Sequence, residues 1–269
     1  FSRTFVQLND MAPQTIVGTI KRHKVTHIFA VPMFWEKVYE EAIKTIKGRG
    51  EKTYAKFLRG MKLADRIGDV PLLGRIFSRL AFKEVRQNLF GESISFMITG
   101  GSGIGNNVLS FFNNIGYRLA NGYGMTEIGI TSVELSSKKR LLNGGFVGKP
   151  MSFVEYRINN EGELLVRGKV IARYVIKDGA VIANDDWFNT KDLAECKNGH
   201  YLILGRRDDV VISSAGENVN PNLLEPHFKD IAGVDGVCII GGKQNSETVP
   251  ILLVSINKHT TKERFEQID

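Results

Sequence analysis

The sequence predicts an α/β chain laid out in three stretches, and three observations carry that reading. A buried-strand run, Ile94-Ser95-Phe96-Met97-Ile98-Thr99, enters a glycine-rich turn at Gly100–Gly105 and leads to a helix with Val108, Leu109, Phe111, Phe112 and Ile115 on one side. That alternation is the texture of an open α/β sheet. Residues 144–204 break into short β segments separated by Asn160-Glu161-Gly162, Asp178-Gly179 and Lys197-Asn198-Gly199. Such dipeptides mark hairpin turns, and their spacing suits a small β-barrel-like packing. After Gly205-Arg206-Arg207-Asp208-Asp209 come a strand at Val210–Ser213, a helix at Pro221–Asp230, strands at Val237–Ile240 and Pro250–Ile256, and a helix start at Thr261. This is a small α+β unit, and the expected boundaries are 1–142, 143–207 and 208–269.

Ahead of the first of these strands the chain reads as helical. Pro32 suits a helix start, and Trp35, Val38, Tyr39, Ala42 and Ile46 recur at helical spacing after it. Leu72 to Leu89 carries Leu73, Ile76, Phe77, Leu80 and Val85 among Arg75, Arg79, Lys83 and Arg86. Between them Lys47-Gly48-Arg49-Gly50-Glu51-Lys52 reads as a mobile basic connection. The chain has 269 residues, 36 Lys and Arg against 29 Asp and Glu, and a net charge of +7. The surplus is local: 17 basic against 8 acidic residues through Phe90, and 19 against 21 thereafter. A solvated helical face explains it most simply, and peripheral contact with a membrane through residues 33–90 is the sharper alternative. No nucleic-acid role is expected, because the aromatics follow the buried periodicity instead of interleaving with the cations. With two cysteines, Cys196 and Cys238, in apolar strand contexts, both are expected in the core and the setting is expected to be reducing and cytoplasmic.

Several familiar motifs fail on inspection. The run Gly100-Gly101-Ser102-Gly103-Ile104-Gly105 does not close a G-x-G-x-x-G, and Ser102 lacks the fifth-position glycine of a nucleophile elbow. Gly144–Lys149 is one residue short of a P-loop and ends on Pro150 where a hydroxyl residue is needed. His23 and His27 form a lone i,i+4 pair, too little for a metal site.

What holds is an ordered set. Asn121-Gly122-Tyr123-Gly124-Met125-Thr126-Glu127 reads as a loop at the end of a short strand, Tyr117–Ala120. Its glycines permit close backbone approach, Tyr123 can stack on a purine, Thr126 can donate to a phosphate and Glu127 can bind a hard cation. Trp187-Phe188-Asn189-Thr190-Lys191-Asp192 offers an acid for paired ribose hydroxyls, and Gly205-Arg206-Arg207-Asp208-Asp209 an arginine for the same sugar or its phosphate.

This constellation, with Ser214-Ala215-Gly216-Glu217-Asn218-Val219-Asn220-Pro221 after it, resembles the adenylate-forming superfamily of acyl-CoA synthetases, luciferases and peptide-synthetase adenylation domains. Ile28-Phe29-Ala30-Val31-Pro32-Met33 and Glu36-Lys37-Val38-Tyr39 make it most similar to long-chain fatty acid–CoA ligases. The resemblance implies that residues 1–142 are the last part of a large α/β N-terminal domain, that 143–207 form its β subdomain, and that 208–269 are a mobile α+β C-terminal domain, truncated. It implies that Gly100, Gly101 and Ser102 wall the adenine and acyl pocket, that Asn121, Gly122 and Tyr123 hold adenine, and that Thr126 meets the α-phosphate. Glu127 would take Mg²⁺, Asp192 and Arg206 the ribose, and Asp208 would be the hinge of the small domain. Gly216 and Glu217 would line the pantetheine tunnel, and Thr126, Glu127 and Arg206 would carry the catalysis. ATP (leaving as AMP), CoA and a fatty acid are the implied substrates; an aryl or amino acid ligase and a non-catalytic AMP-binding module stay open. The family's phosphate loop has no match before Val25 and its C-terminal lysine would lie beyond Asp269, so a fragment inactive alone is expected. Lys191 stands where the family usually has glycine.

Overall fold

A computed structural model of the chain describes residues 4–6, 13–183, 186–214, 217–228, 231, 234–244 and 247–256. It divides into two compact units. The first is Phe1–Tyr156 with Val166–Phe188 and Cys196–Leu202; the second is Arg157–Leu165, Asn189–Glu195 and Ile203–Asp269.

In the first unit helix α1 (Pro13–Arg22) precedes strand β1 (His27–Ala30), and helices α2 (Pro32–Gly48), α3 (Glu51–Arg66), α4 (Pro71–Ala81) and α5 (Lys83–Asn88) follow. Strand β2 (Phe96–Thr99), helix α6 (Asn106–Asn114), strands β3 (Leu119–Met125) and β4 (Gly129–Val133), helix α7 (Lys139–Asn143) and strand β5 (Lys149–Pro150) complete the α/β part. The five strands make one sheet in order β1-β2-β3-β4-β5. β1, β2 and β3 are parallel, in register Phe29–Ile98 and Ile98–Ala120, whereas β4 and β5 are antiparallel to their neighbours. The α/β reading is therefore correct, and Pro32 does begin its helix. The supposed basic connection is shorter than expected: only Arg49 and Gly50 separate α2 from α3, a helix the sequence reading missed.

Aromatic residues lock the helices to the sheet. Trp35, fully buried, donates from Nε1 to the Ala30 carbonyl at 3.2 Å and meets Phe112 edge to face at 5.4 Å. Phe111 touches Tyr39 at 5.3 Å and Phe57 at 6.2 Å, so α2, α3 and α6 share one core. Beneath it Arg86, also fully buried, is paired with Glu92 at 2.6 Å, donates to the Gly116 carbonyl at 2.7 Å and lies over the Tyr117 ring at 4.7 Å. A buried guanidinium needs this many partners to offset its lost hydration.

Strands β6 (Val154–Ile158), β7 (Glu163–Gly168), β10 (Phe188–Lys197) and β11 (His200–Arg206) form a second sheet of order β11-β10-β7-β6, while β8 (Tyr174–Lys177) and β9 (Ala180–Ala183) pair alone. The turn dipeptides act as read: Asp178 and Gly179 take φ of 52° and 80°, and Asn198 and Gly199 take 54° and 79°. Positive φ at both central residues is the hairpin geometry that matches strand twist.

In the second unit a 3-10 turn (Arg207–Asp209) leads to β12 (Val211–Ile212), β13 (Asn218–Val219), α8 (Pro221–Leu224) and the hairpin of β14 (Val234–Gln244) with β15 (Glu247–Ile256). The expected helix at Pro221–Asp230 is one short α turn extended by a 3-10 turn at Glu225–His227, because Pro226 cannot continue the backbone ladder. The strand expected at Val210–Ser213 is confined to Val211–Ile212, and both hairpin strands are longer than read. The helix start at Thr261 lies outside the described residues. Both cysteines are exposed, correcting the expectation of core positions: Cys196 sits near the exposed end of β10, and Cys238 lines a surface cavity. Among the described residues no helix is long and apolar enough to cross a membrane.

Candidate functional site

In the first unit the glycine turn leaves the end of β2 beside Asn121 and Gly122, and Thr126 and Glu127 follow the end of β3. β2 pairs with β3 through Thr99–Asn121, and the glycine turn departs at that point. A Cβ on Gly100 would lie 3.1 Å from the Gly122 carbonyl oxygen, so the turn runs close against β3. Gly101 has φ +99° with open space where a side chain would go, and Ser102 is exposed beside it. In open α/β sheets this strand edge is where ligands bind.

The segment 121–127 is not the loop expected. β3 continues through Met125, reverses over Thr126–Ile128 and returns as β4, with Tyr123 opposite Ser132 and Gly124 opposite Ile130. Gly124 makes this possible, since a Cβ there would fall 2.3 Å from the Gly129 oxygen and 2.8 Å from the Ile130 Cα. Thr126 is thereby presented, exposed, at the tip of a hairpin, with Glu127 half-buried next to it. The Glu127 carbonyl accepts from the Ala172 amide at 2.8 Å, which pins the turn.

Asn121 and Tyr123 point into packed surroundings. The Asn121 side-chain Nδ2 donates to the Gly145 carbonyl at 2.9 Å, and the Asn121 main-chain carbonyl accepts from the Glu134 amide at 2.9 Å. Tyr123 is about nine-tenths buried and stands edge-on to Tyr156 at 6.4 Å, which in turn meets Tyr201 at 4.9 Å. The Tyr156 hydroxyl bonds to Thr131 Oγ1 at 2.5 Å and Ser132 Oγ at 3.2 Å, and burial pushes its acidity to higher pH. Tyr123 thus belongs to a backed aromatic row, whose supporting tyrosines carry no motif and went unread in the sequence.

Two more first-unit features escaped the sequence reading. Glu134, fully buried, holds His200 Nδ1 at 2.7 Å and accepts from the Ser136 amide at 2.8 Å. A cavity of about 470 Å³ is lined by Arg167, Lys169, Arg173 and Asp186 together with Ala172. The only sequence signal for it was three cations within seven residues.

In the second unit Asp192 sits within β10, mostly buried, with Arg206 Nε 3.9 Å from its carboxylate and its own amide donating to Thr190 Oγ1 at 3.1 Å. The acid and the arginine matched to ribose therefore face each other. Lys191 adopts φ +63°, the left-handed conformation that glycine enters at least cost, which explains why glycine is usual there. Its amide donates to Asn189 Oδ1 at 2.9 Å and its ammonium lies 3.6 Å from Glu163. Glu163, which the sequence reading did not single out, is almost fully buried and collects Asn159 and Asn189 at 2.8 Å each and Arg207 at 3.1 Å. Burial pushes its carboxyl upward, but those hydrogen bonds and the Lys191 charge outweigh burial and hold it at about 2. Asp208 is exposed in the 3-10 turn between β11 and β12 and borders a cavity of about 640 Å³ with Val211, Cys238 and Ile239. Glu217 is exposed, its amide donating to Ser213 Oγ at 3.1 Å; Gly216 lies outside the described residues.

The first-unit residues suit a nucleotide with a hard cation. A side chain at Gly100 would crowd the Gly122 carbonyl, and Glu127 supplies one carboxylate. Mg²⁺ commonly takes one or two protein carboxylates and completes its shell with phosphate and water.

Comparison with known proteins bears on the family. Residues 2–175 match the family model described as AMP-binding enzyme. The long-chain-fatty-acid–CoA ligase FadD15 of Mycobacterium tuberculosis is 30% identical over 230 residues, 81% of this chain and 38% of that protein. The long-chain-fatty-acid–CoA ligase ACSBG2 of Rattus norvegicus is 29% identical over 262 residues, 89% of this chain and 38% of its own length. The chain thus spans less than half the length of these relatives. Among solved structures, o-succinylbenzoate CoA synthetase from Bacillus subtilis with its acyl-adenylate intermediate shares the fold at TM-score 0.67, with 22% identity over 96% of this chain and 46% of that one. The same enzyme with ATP and magnesium gives TM-score 0.64 at 21% identity, covering 96% and 47%. Matched by the family model over well more than half its length, the chain belongs to the AMP-binding enzyme family.

Proposed function

We propose that the chain is the nucleotide-holding part of a ligase that activates a carboxylic acid, of long-chain fatty type, through an acyl-adenylate and transfers it to CoA. The carboxylate oxygen attacks the α-phosphorus of ATP, and the bond to the bridging oxygen breaks as pyrophosphate leaves. The thiol sulfur of CoA then attacks the acyl carbon, AMP departs with the bonding pair, and the thiol proton is lost. One observation carries the reading: the β3–β4 hairpin presents Thr126 and Glu127 at the end of the strand that the glycine turn approaches at Gly122. Thr126 is assigned to the α-phosphate, and Glu127 would hold Mg²⁺, which neutralises phosphate charge when bound. Tyr123 with Asn121, Gly122, Gly100, Gly101 and Ser102 form the adenine wall. Asp192 accepts from ribose hydroxyls, with Arg206 beside it; Asp208 is the hinge residue, and Gly216 and Glu217 contact the CoA arm. The protein's work is positioning and charge stabilisation of a crowded anionic transition state.

The fatty substrate is supported by two ligase relatives of that class. The o-succinylbenzoate enzymes, at 22% identity or less in the Bacillus structures compared, share the fold and do not decide the acid. The test is AMP binding by the chain and ATP–pyrophosphate exchange by a longer reading frame that contains it, against acids from aryl to long-chain. Exchange driven by long-chain acids and lost in Glu127→Gln and Asp192→Ala is expected. Exchange that survives both substitutions overturns the site assignment; exchange with aryl acids alone overturns the substrate; AMP binding with no exchange for any acid marks a non-catalytic module.

A further inference from the structure

Helix α4 is packed inside out. Its inward residues are small: Ser78 is fully buried, and Gly74 lies so close to the preceding turn that a Cβ would sit 2.8 Å from the Ile67 carbonyl oxygen. Phe77 reaches the core by its edge, meeting Phe82 at 6.4 Å. Leu73, Ile76 and Leu80 are instead 63%, 48% and 72% exposed, and Val70 just before the helix is 50% exposed. At ~100° per residue those three helical positions fall within about 60° of one another, so they form one continuous ridge. An apolar repeat of this spacing ordinarily marks the buried side of a helix, and here its aliphatic members face outward.

The surroundings of the ridge are cationic. Arg75 and Arg79 are exposed on the helix itself, Lys83 follows it, and Lys52, Lys56, Arg59, Lys62 and Arg66 are exposed on α3. Residues 51–83 carry eight Lys and Arg against three Asp and Glu. Of the three acids, Asp65 is engaged by Asn143 at 2.9 Å and Asp69 by Arg140 at 3.6 Å. An exposed apolar ridge flanked by an excess of basic side chains matches an anionic lipid surface: the apolar residues enter the acyl boundary while Arg and Lys meet the headgroups.

We propose that α4, with the basic face of α3, is a peripheral docking surface for anionic membranes. It involves none of the residues assigned to nucleotide, so it stands or falls apart from the proposed ligase activity. The experiment is co-sedimentation of the chain with vesicles of phosphatidylcholine and phosphatidylserine in equal parts, against phosphatidylcholine alone. Binding is expected only with phosphatidylserine, weakening from 0.1 M to 1 M salt as the screening length falls from ~10 to ~3 Å. Arg75→Gln with Arg79→Gln should weaken it by roughly five-fold per residue, and Leu73→Glu with Leu80→Glu should abolish it. All four positions are exposed, so circular dichroism and melting should be unchanged and serve as the folding control. Binding that ignores these substitutions, equal binding to neutral vesicles, or no binding at all overturns the proposal. So does a concentration-dependent dimer that the leucine substitutions dissolve in the absence of lipid, which would assign the ridge to a second copy.

Discussion

Gly124→Ala is the sharpest perturbation of the candidate nucleotide edge, because a single methyl group meets backbone it cannot move cheaply. The new Cβ would sit 2.3 Å from the Gly129 oxygen, 2.8 Å from the Ile130 Cα and 2.9 Å from the Gly129 carbonyl carbon. All three belong to the opposite strand of the hairpin, and relief requires β3 and β4 to separate by about an ångström, a distortion of the overpacking kind worth ~1–3 kcal/mol or more. At ~2–4 °C per kcal/mol for a protein of this size, the upper part of that range lowers the melting temperature by about 6–12 °C. The displaced turn is the one that carries Thr126 and Glu127, so nucleotide affinity should fall with stability. Gly101→Ala is the matched control: its Cβ meets nothing within 4 Å, and only its φ of +99° opposes a side chain, a strain of ~1–2 kcal/mol. Melting curves with and without AMP, and calorimetric AMP titration, read both effects. If Gly124→Ala melts like the parent and binds AMP equally well, the close hairpin pairing described for Thr126 and Glu127 is wrong.

Other expectations follow from particular contacts. Tyr156→Phe removes the nearer of two partners of Thr131 Oγ1, leaving the Tyr123 carbonyl at 3.4 Å, and should cost ~1–2 kcal/mol in denaturant melts while raising the nucleotide KM more than it changes kcat, since it acts through Tyr123. Glu163 is held at about 2 against an ordinary 4.5, so its contribution to stability is full above pH 4.5 and drains away as pH falls toward 2. Glu163→Gln should therefore flatten the stability profile across that window in pH-dependent urea melts. Lys191→Gly relieves a left-handed φ worth ~1 kcal/mol but removes a charge 3.6 Å from the buried Glu163 carboxylate, so the two effects oppose and its melting temperature should stay near the parent's in thermal melts at neutral pH. Arg86→Lys keeps the charge but loses the paired contacts to Glu92 and Gly116 and should lower stability by ~1–3 kcal/mol in the same melts.

How much of this was legible beforehand depended on whether the signal lay within one segment. The α/β order, the start of α2 at Pro32 and the Asp178-Gly179 and Asn198-Gly199 turns were readable because backbone conformation there is dictated locally. The candidate residues were readable as an ordered set, and their chemistry could be named residue by residue. Their setting could not. Asn121–Met125 looked like a glycine-loosened loop, whereas the glycines serve tight pairing with a strand whose register no local pattern announces. Glu163, Tyr156 and the Glu134–His200 pair were invisible for the same reason: each gains its meaning from partners 25 to 66 residues away.

Helix α4 shows where hydrophobic periodicity misleads. A 3.6-residue repeat of leucines says that a helix has an apolar side; which side is buried depends on how closely the helix can approach its support. Gly74 and Ser78 let α4 lie against the Ile67–Gly68 turn and the Gly116 backbone, where a Cβ on Gly116 would meet the Ser78 Cβ at 3.2 Å. That close approach gains dispersion contacts and admits no large residue, so the leucines have nowhere to go but outward. Burying them instead would need a gap between helix and support wide enough for Leu73, Ile76 and Leu80, and would lose the Lys139 hydrogen bond to Ser78 at 3.1 Å. The alternative packing can be imposed directly. Ser78→Leu should push the helix off its support and lower the melting temperature, whereas Leu80→Ser, on the exposed ridge, should leave it within ~0.5 kcal/mol of the parent. A reversed result, with Leu80→Ser destabilising and Ser78→Leu tolerated, would put the leucines in the core and leave no ridge for a membrane to meet.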